Sequence, residues 1–296
     1  MSPSPIGASA CVMRALVAAL LYAALHAAAL AQPAESPPSA APEPQPEMRE
    51  NCPGLISRDR PQVIPTLLPA ALKLAALGAD QVRLTFVSHS SFLIESPQGV
   101  RIVTDYNDYR KPMVIPDIIT MNHAHDTHFT NHPDPAIKYV LRGWGPSPEE
   151  PAIWDLKYRD VRVRNVPTNI RNWTGGTERY GNSIFVFEIA NLCIAHLGHL
   201  HHTLTQQQLD EIGRPDVVMA PVDGNLTLDL DGMMEVLAAL KPQLIIPMHF
   251  FNPYTLGRFL DRARQQWPVE QADIPSIVVS KTTLPANPKV LVLPGH

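Results

Sequence analysis

The stretch Met121-Asn122-His123-Ala124-His125-Asp126-Thr127-His128-Phe129 decides the fold prediction for this chain of 296 residues. It follows the apolar run Ile115 to Thr120, which predicts a buried strand with the histidines at its C-terminal end. Alternation along a strand would send His123 and His125 to the same side, and His128 can return to that side if the chain turns. Three imidazoles that converge on one point are what a zinc ion requires. The stretch therefore predicts a metal site in preference to a polar loop.

Two other apolar runs also end at histidines. Leu192-Cys193-Ile194-Ala195 leads to His196 and His199, and Leu244 to Met248 leads to His249. Strand ends that meet at one edge of a sheet can hold a site, because the sheet fixes their positions. We expect His196, His201 and His202 to support the ligands or to lie at the surface. The candidate metal ligands are therefore His123, His125, His128, His199 and His249.

These segments resemble a known family. The first resembles the His-x-His-x-Asp-His signature of the metallo-β-lactamase superfamily. The resemblance covers about residues 82 to 253 and extends to the ascorbate-6-phosphate lactonase-like branch of metal-dependent hydrolases. It implies an α/β fold in the form of an αββα four-layer sandwich, with helices on both outer faces, and a metal-dependent hydrolase activity on an ester, lactone or phosphodiester. The segments that carry the branch resemblance are Ser88-His89-Ser90-Ser91-Phe92-Leu93-Ile94, Thr104-Asp105, Ile194 to Leu200, Asp216 to Gly224 and Leu240 to Phe250.

Three ligands that the resemblance implies are missing from this chain. Thr127 stands where the family has an aspartate, and His199 stands at the position of the bridging aspartate. The histidine expected after the strand near Val166 falls within Asn169-Ile170-Arg171-Asn172. Because a two-metal site needs anionic ligands to offset the charge of the cations, the sequence favours one zinc ion over two. Asp126 or a histidine outside the ligand set would serve as the proton acceptor, which makes Asp126 the candidate catalytic residue. A shifted loop would instead make Asp126 a metal ligand.

Two further interpretations stay open beside the hydrolase. One is a non-catalytic binding protein that keeps the fold and holds a metal ion or ligand, and the other is a structural relative without metal. His89 is either a turn residue or a pocket residue, and we expect Asp105 to orient a histidine ligand. The residues that either line the pocket or only pack are Tyr106, Tyr109, Trp173 and Asn182.

The N-terminal residues have the composition of an export signal. Arg14 precedes an apolar run, and Ala29-Leu30-Ala31 offers a cleavage site of small residues, which is typical of a secretory signal peptide. An uncleaved anchor is the alternative. We predict a signal peptide over residues 1–31, a disordered proline-rich linker over 32–52, a helical extension over 53–81 and a metallo-β-lactamase-like domain over 82–296. The mature protein would then be periplasmic or secreted, with no membrane span.

Charge and cysteine content limit the partners. The net charge is −4 and no basic run occurs, which argues against nucleic acid and favours a small-molecule substrate. Cys52 and Cys193 could pair in an oxidising compartment, although Cys193 is also explained as a small buried residue.

Periodicity predicts the remaining elements. Hairpins are expected at Pro97-Gln98-Gly99 and between Phe187 and Leu192. The predicted helices are 133–141, a helix opened by a capping box at Thr205, 230–240 and 256–266. Residues 162–166 are predicted to form an edge strand.

Overall fold

The computed structural model describes residues 76–123, 125–172 and 174–295. The predicted signal peptide, the predicted linker and most of the predicted extension over 53–81 lie outside these ranges. The described end of that extension is a turn, in which the Gln81 amide donates to the Gly78 carbonyl at 3.1 Å. Within the described ranges, no helix is long and apolar enough to cross a membrane.

The described residues form two β-sheets and three helices. The strands are β1 (Val82–Ser88), β2 (Ser91–Glu95), β3 (Arg101–Val103), β4 (Ile118–Met121), β5 (Tyr139–Arg142), β6 (Asp155–Tyr158), β7 (Val161–Arg171), β8 (Thr177–Ile189), β9 (Leu192–His196), β10 (Val217–Pro221), β11 (Leu244–Met248), β12 (Val269–Gln271), β13 (Ser276–Val279) and β14 (Lys289–Val292). The helices are α1 (Gln206–Ile212), α2 (Leu230–Leu240) and α3 (Pro253–Ala263).

The two sheets face each other across one apolar layer. The first sheet has the order β13-β1-β2-β3-β4-β5, and the second has the order β12-β14-β11-β10-β9-β8-β7-β6. Side chains of both sheets meet in this layer, for example Leu84 and Phe92 of the first with Phe185 and Ile246 of the second. Burial of such side chains is worth about 1.5–3 kcal/mol each, so this layer holds the sheets at a fixed distance.

Helices cover the outer face of the eight-stranded sheet. Residues of α1, α2 and α3 pack with that face in one cluster, which includes Ile212, Leu237 and Phe259. The predicted capping box at Thr205 is confirmed, because Thr205 and Gln208 exchange both capping hydrogen bonds.

The α/β class and the paired sheets are confirmed, whereas the outer face of the six-stranded sheet differs from the expected helical layer. In the described part of the chain, loop residues such as Tyr106 and Ile137 pack on this face. They contact Val103 and Met121 of the sheet.

Two local predictions were wrong. Residues 133–141 are not helical, because Pro133 and Pro135 interrupt the segment and the Asp134 carboxylate caps a turn at the Ala136 amide; the segment ends in β5. Residues 162–166 belong to an interior strand, since β7 pairs with both β6 and β8. The polar alternation of β7 reflects a buried ion network, in which Arg162 and Arg164 both bind Glu188.

Cys193 is buried in β9 and forms a disulfide. The other two cysteines of the chain, Cys11 and Cys52, lie outside the described residues. The interpretation of Cys193 as an unpaired buried residue is therefore wrong.

Candidate metal centre

Loops from both sheets bring five histidines together at one end of the apolar layer. His89 lies in the turn between β1 and β2, His125 and His128 follow β4, His199 follows β9 and His249 follows β11. The ring of His199 lies 4.8 Å from that of His125, 4.8 Å from that of His128 and 4.7 Å from that of His249, between centroids. The rings of His89 and His249 are 4.0 Å apart. We call these five residues the histidine cluster.

His128 is oriented by a carboxylate. Its Nδ1 atom lies 2.6 Å from Oδ2 of Asp105, and both side chains are fully buried. The other oxygen of Asp105 accepts a hydrogen bond from the Asn122 amide at 2.9 Å. Burial raises the pKa of Asp105, but the neighbouring His128 and His196 outweigh it and lower that pKa to about 2. Asp105 is therefore an anion that accepts the Nδ1 proton, as the sequence predicted for it.

His249 has an equivalent partner in Asp223. The His249 Nδ1 atom lies 3.0 Å from Oδ1 of Asp223, and the backbone amides of Asn225 and Leu226 donate to Oδ2. Burial works against ionisation of Asp223, whereas the hydrogen bond from His249 favours it, and the pKa of Asp223 is lowered overall. Burial lowers the pKa of His249 itself, which keeps the ring neutral.

Asp223 is a functional residue that the sequence reasoning did not assign. A signal for it was present: β10 and β11 are parallel neighbours in which Pro221 pairs with Met248. Residues that follow these two strands must therefore lie side by side, which places Asp223 next to His249.

His199 is held by groups different from those that hold His128 and His249. Its backbone amide donates to Oδ1 of Asn182 at 2.7 Å, and its Nδ1 atom lies 2.5 Å from Nε2 of His201. Gly198 precedes it with φ of 60°, and a Cβ atom there would collide with Asn182 and Asn122. Burial lowers the pKa of His199 well below its ordinary value.

His89 takes the pocket role that the sequence left open. One nitrogen each from His89, His128 and His249 all lie within 4.8 Å of one another. Burial, followed by the neighbouring His249 and His128, lowers the pKa of His89 to about 3, so the ring is neutral near pH 7. His89, Asp105 and His249 also have positive φ angles of 50°, 45° and 54°, a conformation that is rare for such residues and is typical of functional sites.

The cluster has the donor chemistry that a metal ion needs. The Nε2 atoms of His128, His199 and His249 are buried without a hydrogen-bond partner. A buried polar atom without a partner costs about 1–3 kcal/mol, so these atoms indicate a missing partner, which is a metal ion for a lone pair or a hydrogen-bond acceptor for an N–H group. Neutral imidazole nitrogens suit zinc and related ions.

His123 is not part of the cluster. Its side chain is 44% exposed, its Nδ1 atom contacts Glu178 at 3.0 Å, and its ring packs on Trp144. Strand β4 ends at Met121, so the alternation that would pair His123 with His125 no longer applies. The structure therefore brings four of the five candidate ligands together and adds His89.

Asp126 lies at the surface, away from the place expected of a catalytic residue. It is exposed, and its carboxylate accepts a hydrogen bond from the Tyr109 hydroxyl. A turn over residues 125–128, closed by the His128 amide on the His125 carbonyl at 2.9 Å, sends the Asp126 side chain outward while His125 and His128 point inward.

The other candidate pocket residues are divided between packing and support. Tyr106 packs on the six-stranded sheet, Asn182 holds the His199 backbone, and the Trp173 side chain lies outside the described residues. His196 is buried and donates from Nε2 to the Ser90 carbonyl at 2.7 Å, so it supports the turn that carries His89.

A cavity of about 290 Å³ opens beside the cluster. His125, Arg171, Glu178, His199, His201 and Leu226 are among the residues that line it. Its size is at the lower end of small-molecule pockets.

Sequence and structure comparisons identify the class to which this fold and site belong. A family model described as "Beta-lactamase superfamily domain" matches residues 83–249, more than half of the chain. The chain belongs to this family, within the metallo-β-lactamase superfamily. The assignment to the lactonase-like branch stays a prediction.

Curated relatives of this chain, including the two described next, carry the name "UPF0173 metal-dependent hydrolase". The protein from Thermoplasma volcanium is 32% identical over 200 residues, which are 57% of this chain and 83% of that protein. The protein from Thermoplasma acidophilum is 32% identical over 106 residues, and this match covers 35% of the chain and less than half, 45%, of that protein.

Solved structures share the fold. A metallo-β-lactamase superfamily protein from Thermotoga maritima is 27% identical with a TM-score of 0.53, and the match covers 71% of this chain and 98% of that one. A protein from Parabacteroides distasonis, 14% identical with a TM-score of 0.51 over 73% of this chain and 94% of that one, supports the fold alone.

Proposed function

We propose that this protein is a metal-dependent hydrolase that binds a single zinc-like ion through His89, His128 and His249. The observation that carries the proposal is the mutual distance of the three ligand nitrogens, all within 4.8 Å. Family membership and the names of the relatives support the coarser statement of a metal-dependent hydrolase.

Three histidines with an open fourth position are the usual pattern of a catalytic zinc site. An ion held there would acidify a coordinated water molecule and polarise the bond to be cleaved. The chain contributes the rigidity of the site, because Asp105 and Asp223 fix the rings of His128 and His249 through their Nδ1 atoms. Their Nε2 atoms then present lone pairs.

The charge of the site supports one ion over two. The buried carboxylates of Asp105 and Asp223 accept hydrogen bonds from the Nδ1 atoms of histidines, so they face away from the ion. Thr127, at the position of a family aspartate, is neutral, and so is His199 near pH 7. A second cation would therefore have no anionic ligand from these positions.

The cavity supports a small-molecule substrate. We propose an ester, lactone or phosphodiester, because these are the bonds that activated water cleaves. The alternative is a non-catalytic metal- or ligand-binding protein, and the surface position of Asp126 favours it, since this candidate proton acceptor is not among the residues that line the cavity.

We further propose that the protein works outside the cytoplasm. The apolar leader with Ala29-Leu30-Ala31 supports export, and the disulfide at Cys193 is typical of an oxidising compartment. N-terminal sequencing of the native protein should begin at Gln32, and a sequence that began at Met1 would contradict the cleaved signal peptide.

Metal content and a substrate panel test the function. Protein purified without chelator or histidine tag should contain one equivalent of metal and hydrolyse at least one of a set of esters, lactones and phosphodiesters.

His89→Ala, His128→Ala and His249→Ala should each lower metal affinity and activity together. His132→Ala removes an exposed imidazole outside the cluster and serves as the control. Two tightly bound equivalents, or a His89→Ala variant with unchanged affinity, would contradict the one-ion site, and a loaded protein inactive on every substrate would favour the binding protein.

A further inference from the structure

A chain of hydrogen bonds runs from the backbone of β7 to His199. The backbone amide of Arg171 lies 2.6 Å from Nδ1 of His201, and the Arg171 Nε atom lies 3.4 Å from the same nitrogen. The Nε2 atom of His201 in turn lies 2.5 Å from Nδ1 of His199. The Arg171 guanidinium also donates to the carbonyls of Asn225 and Thr227, at 3.0 Å and 2.6 Å, which holds this end of β7 in place.

The backbone amide of Arg171 determines which nitrogen donates and which accepts in each of these hydrogen bonds. An amide and a guanidinium can only donate, so Nδ1 of His201 must be the acceptor. The His201 proton therefore resides on Nε2, from which it is donated to Nδ1 of His199. That leaves the His199 proton on Nε2, because an imidazole with an unprotonated Nδ1 carries its proton on the other nitrogen.

His128 and His249 carry their protons on Nδ1, the opposite ring nitrogen to that of His199. Their Nδ1 atoms face carboxylate oxygens, which only accept, at 2.6 Å and 3.0 Å. Each therefore donates from Nδ1 and keeps a lone pair on Nε2, as a metal ligand requires. His199 lies between these two rings but presents an N–H group instead, and that Nε2 atom is buried without a partner.

We propose that His199 does not bind the metal ion but acts as a fixed hydrogen-bond donor to the substrate oxygen that gains negative charge. The proposal rests on the proposed hydrolase function for its catalytic part. His201 is the positioning residue, because it selects the tautomer of His199. His199 and His201 line the same cavity, so the donor lies in the wall against which a substrate would bind. A donor of this kind is worth about 100- to 1,000-fold in kcat.

The tautomer can be measured on the unaltered protein. In zinc-loaded protein labelled with ¹⁵N at histidine, nitrogen–proton correlation spectra should show His199 with a protonated Nε2 and an unprotonated Nδ1. His128 and His249 should show the reverse, with protonated Nδ1 atoms and Nε2 atoms shifted by the metal. A His199 with protonated Nδ1 and a metal-shifted Nε2 would overturn the proposal.

Metal affinity and activity separate a donor from a ligand. His199→Ala should keep the zinc affinity within about threefold. His249→Ala removes a ligand and should lower the affinity by more than about 100-fold, since loss of only the carboxylate behind a ligand already costs about ten- to 100-fold. On any hydrolysed substrate, His199→Ala should lower kcat by about 100-fold, and His199→Gln should recover part of this loss, since the glutamine amide reaches the Nε2 position. An equal loss of affinity in the His199→Ala and His249→Ala variants would show that His199 is a ligand. If no substrate is hydrolysed, the hydrolase function fails while the tautomer and affinity measurements still decide the role of His199.

A variant that moves the His199 proton from Nε2 to Nδ1 should convert His199 into a metal ligand. In His201→Glu, a carboxylate accepts from both the Arg171 amide and Nδ1 of His199, which frees the lone pair on Nε2. Zinc affinity should then rise by about tenfold or more, and the gain should vanish in the His199→Ala, His201→Glu double variant. His202→Glu adds the same charge one position away and should give a smaller change. A gain that persists without His199, or one that His202→Glu matches, would reflect charge alone and contradict the proposal.

Discussion

The Nδ1 atom of His128 lies 2.6 Å from the carboxylate of Asp105, and neither side chain is exposed to solvent. Asp105 follows β3 and His128 follows β4, and these strands are parallel neighbours in one sheet. The contact therefore depends on the sheet itself, which fixes both residues before any ion binds. A ligand oriented in this way loses little freedom when it binds the metal.

We expect Asp105→Asn to lower metal affinity by about ten- to 100-fold, the usual effect of losing a carboxylate behind a histidine ligand. The amide can still hydrogen-bond to the ring but provides no negative charge, so the basicity of Nε2 falls. Isothermal titration of the metal-free variant with zinc measures the change. Asp126→Asn, at an exposed carboxylate, is the matched control and should keep the affinity of the unaltered protein. Equal affinities for Asp105→Asn and Asp126→Asn would show that the Asp105 charge has no role in binding.

The His123→Ala variant tests whether His123 is a metal ligand, as the sequence motif predicts, or lies outside the site, as the structure shows. The signature read from the sequence makes His123 a ligand, whereas the structure places its ring against Trp144 and Glu178. We therefore expect zinc affinity to change less than threefold, because no ligand is removed, while His128→Ala abolishes tight binding. Zinc titration of both variants provides the measurement. If the two variants lost affinity equally, the loop after β4 would have to rearrange in the loaded protein.

The sequence predicted where the strands of this site end, but not where the side chains beyond those ends point. The apolar runs before His128, His199 and His249 located three strand ends correctly, because a buried strand requires a continuous run of apolar residues. The direction of a side chain beyond a strand end depends on the turn, which explains why His123 and Asp126 were assigned to the site and lie outside it. His89 could not be chosen over a turn residue, since its closeness to His249 requires two distant segments to meet.

The metal-free protein should lose stability as the pH falls below neutrality. Burial lowers the pKa values of His196, His199 and His249 below the unfolded value of 6.5. Below pH 6.5 the unfolded chain therefore takes up protons that these buried rings do not, and the free energy of unfolding falls by about 1.4 kcal/mol per pH unit for each such ring. The carboxylates of Asp105 and Asp223 have lowered pKa values and contribute to this loss only near and below pH 3.8.

Urea unfolding of the metal-free protein at pH 7, 6 and 5 tests this dependence. His196→Gln replaces one of the buried rings with an amide that does not titrate in this range, so its stability should depend less steeply on pH. His132→Gln, at an exposed ring, should leave the slope unchanged. A free energy of unfolding that stayed constant from pH 7 to pH 5 would show that the rings bind protons in the folded state.

The disulfide at Cys193 should stabilise the fold without affecting the metal. Cys193 packs with residues such as Ala195 and Leu237 on the helix-covered face of the eight-stranded sheet, opposite the layer between the sheets. We expect Cys193→Ser to lower the free energy of unfolding by about 2–4 kcal/mol, the usual effect of losing a disulfide, and to leave zinc affinity unchanged. If the signal peptide is removed, Cys11 is lost with it, so Cys52→Ser should reproduce the destabilisation and Cys11→Ser should not. A reducing agent should destabilise the unaltered protein to the level of the Cys193→Ser variant and leave that variant unaffected. Equal stability of the oxidised protein and the variant would show that the cross-link does not constrain the unfolded chain.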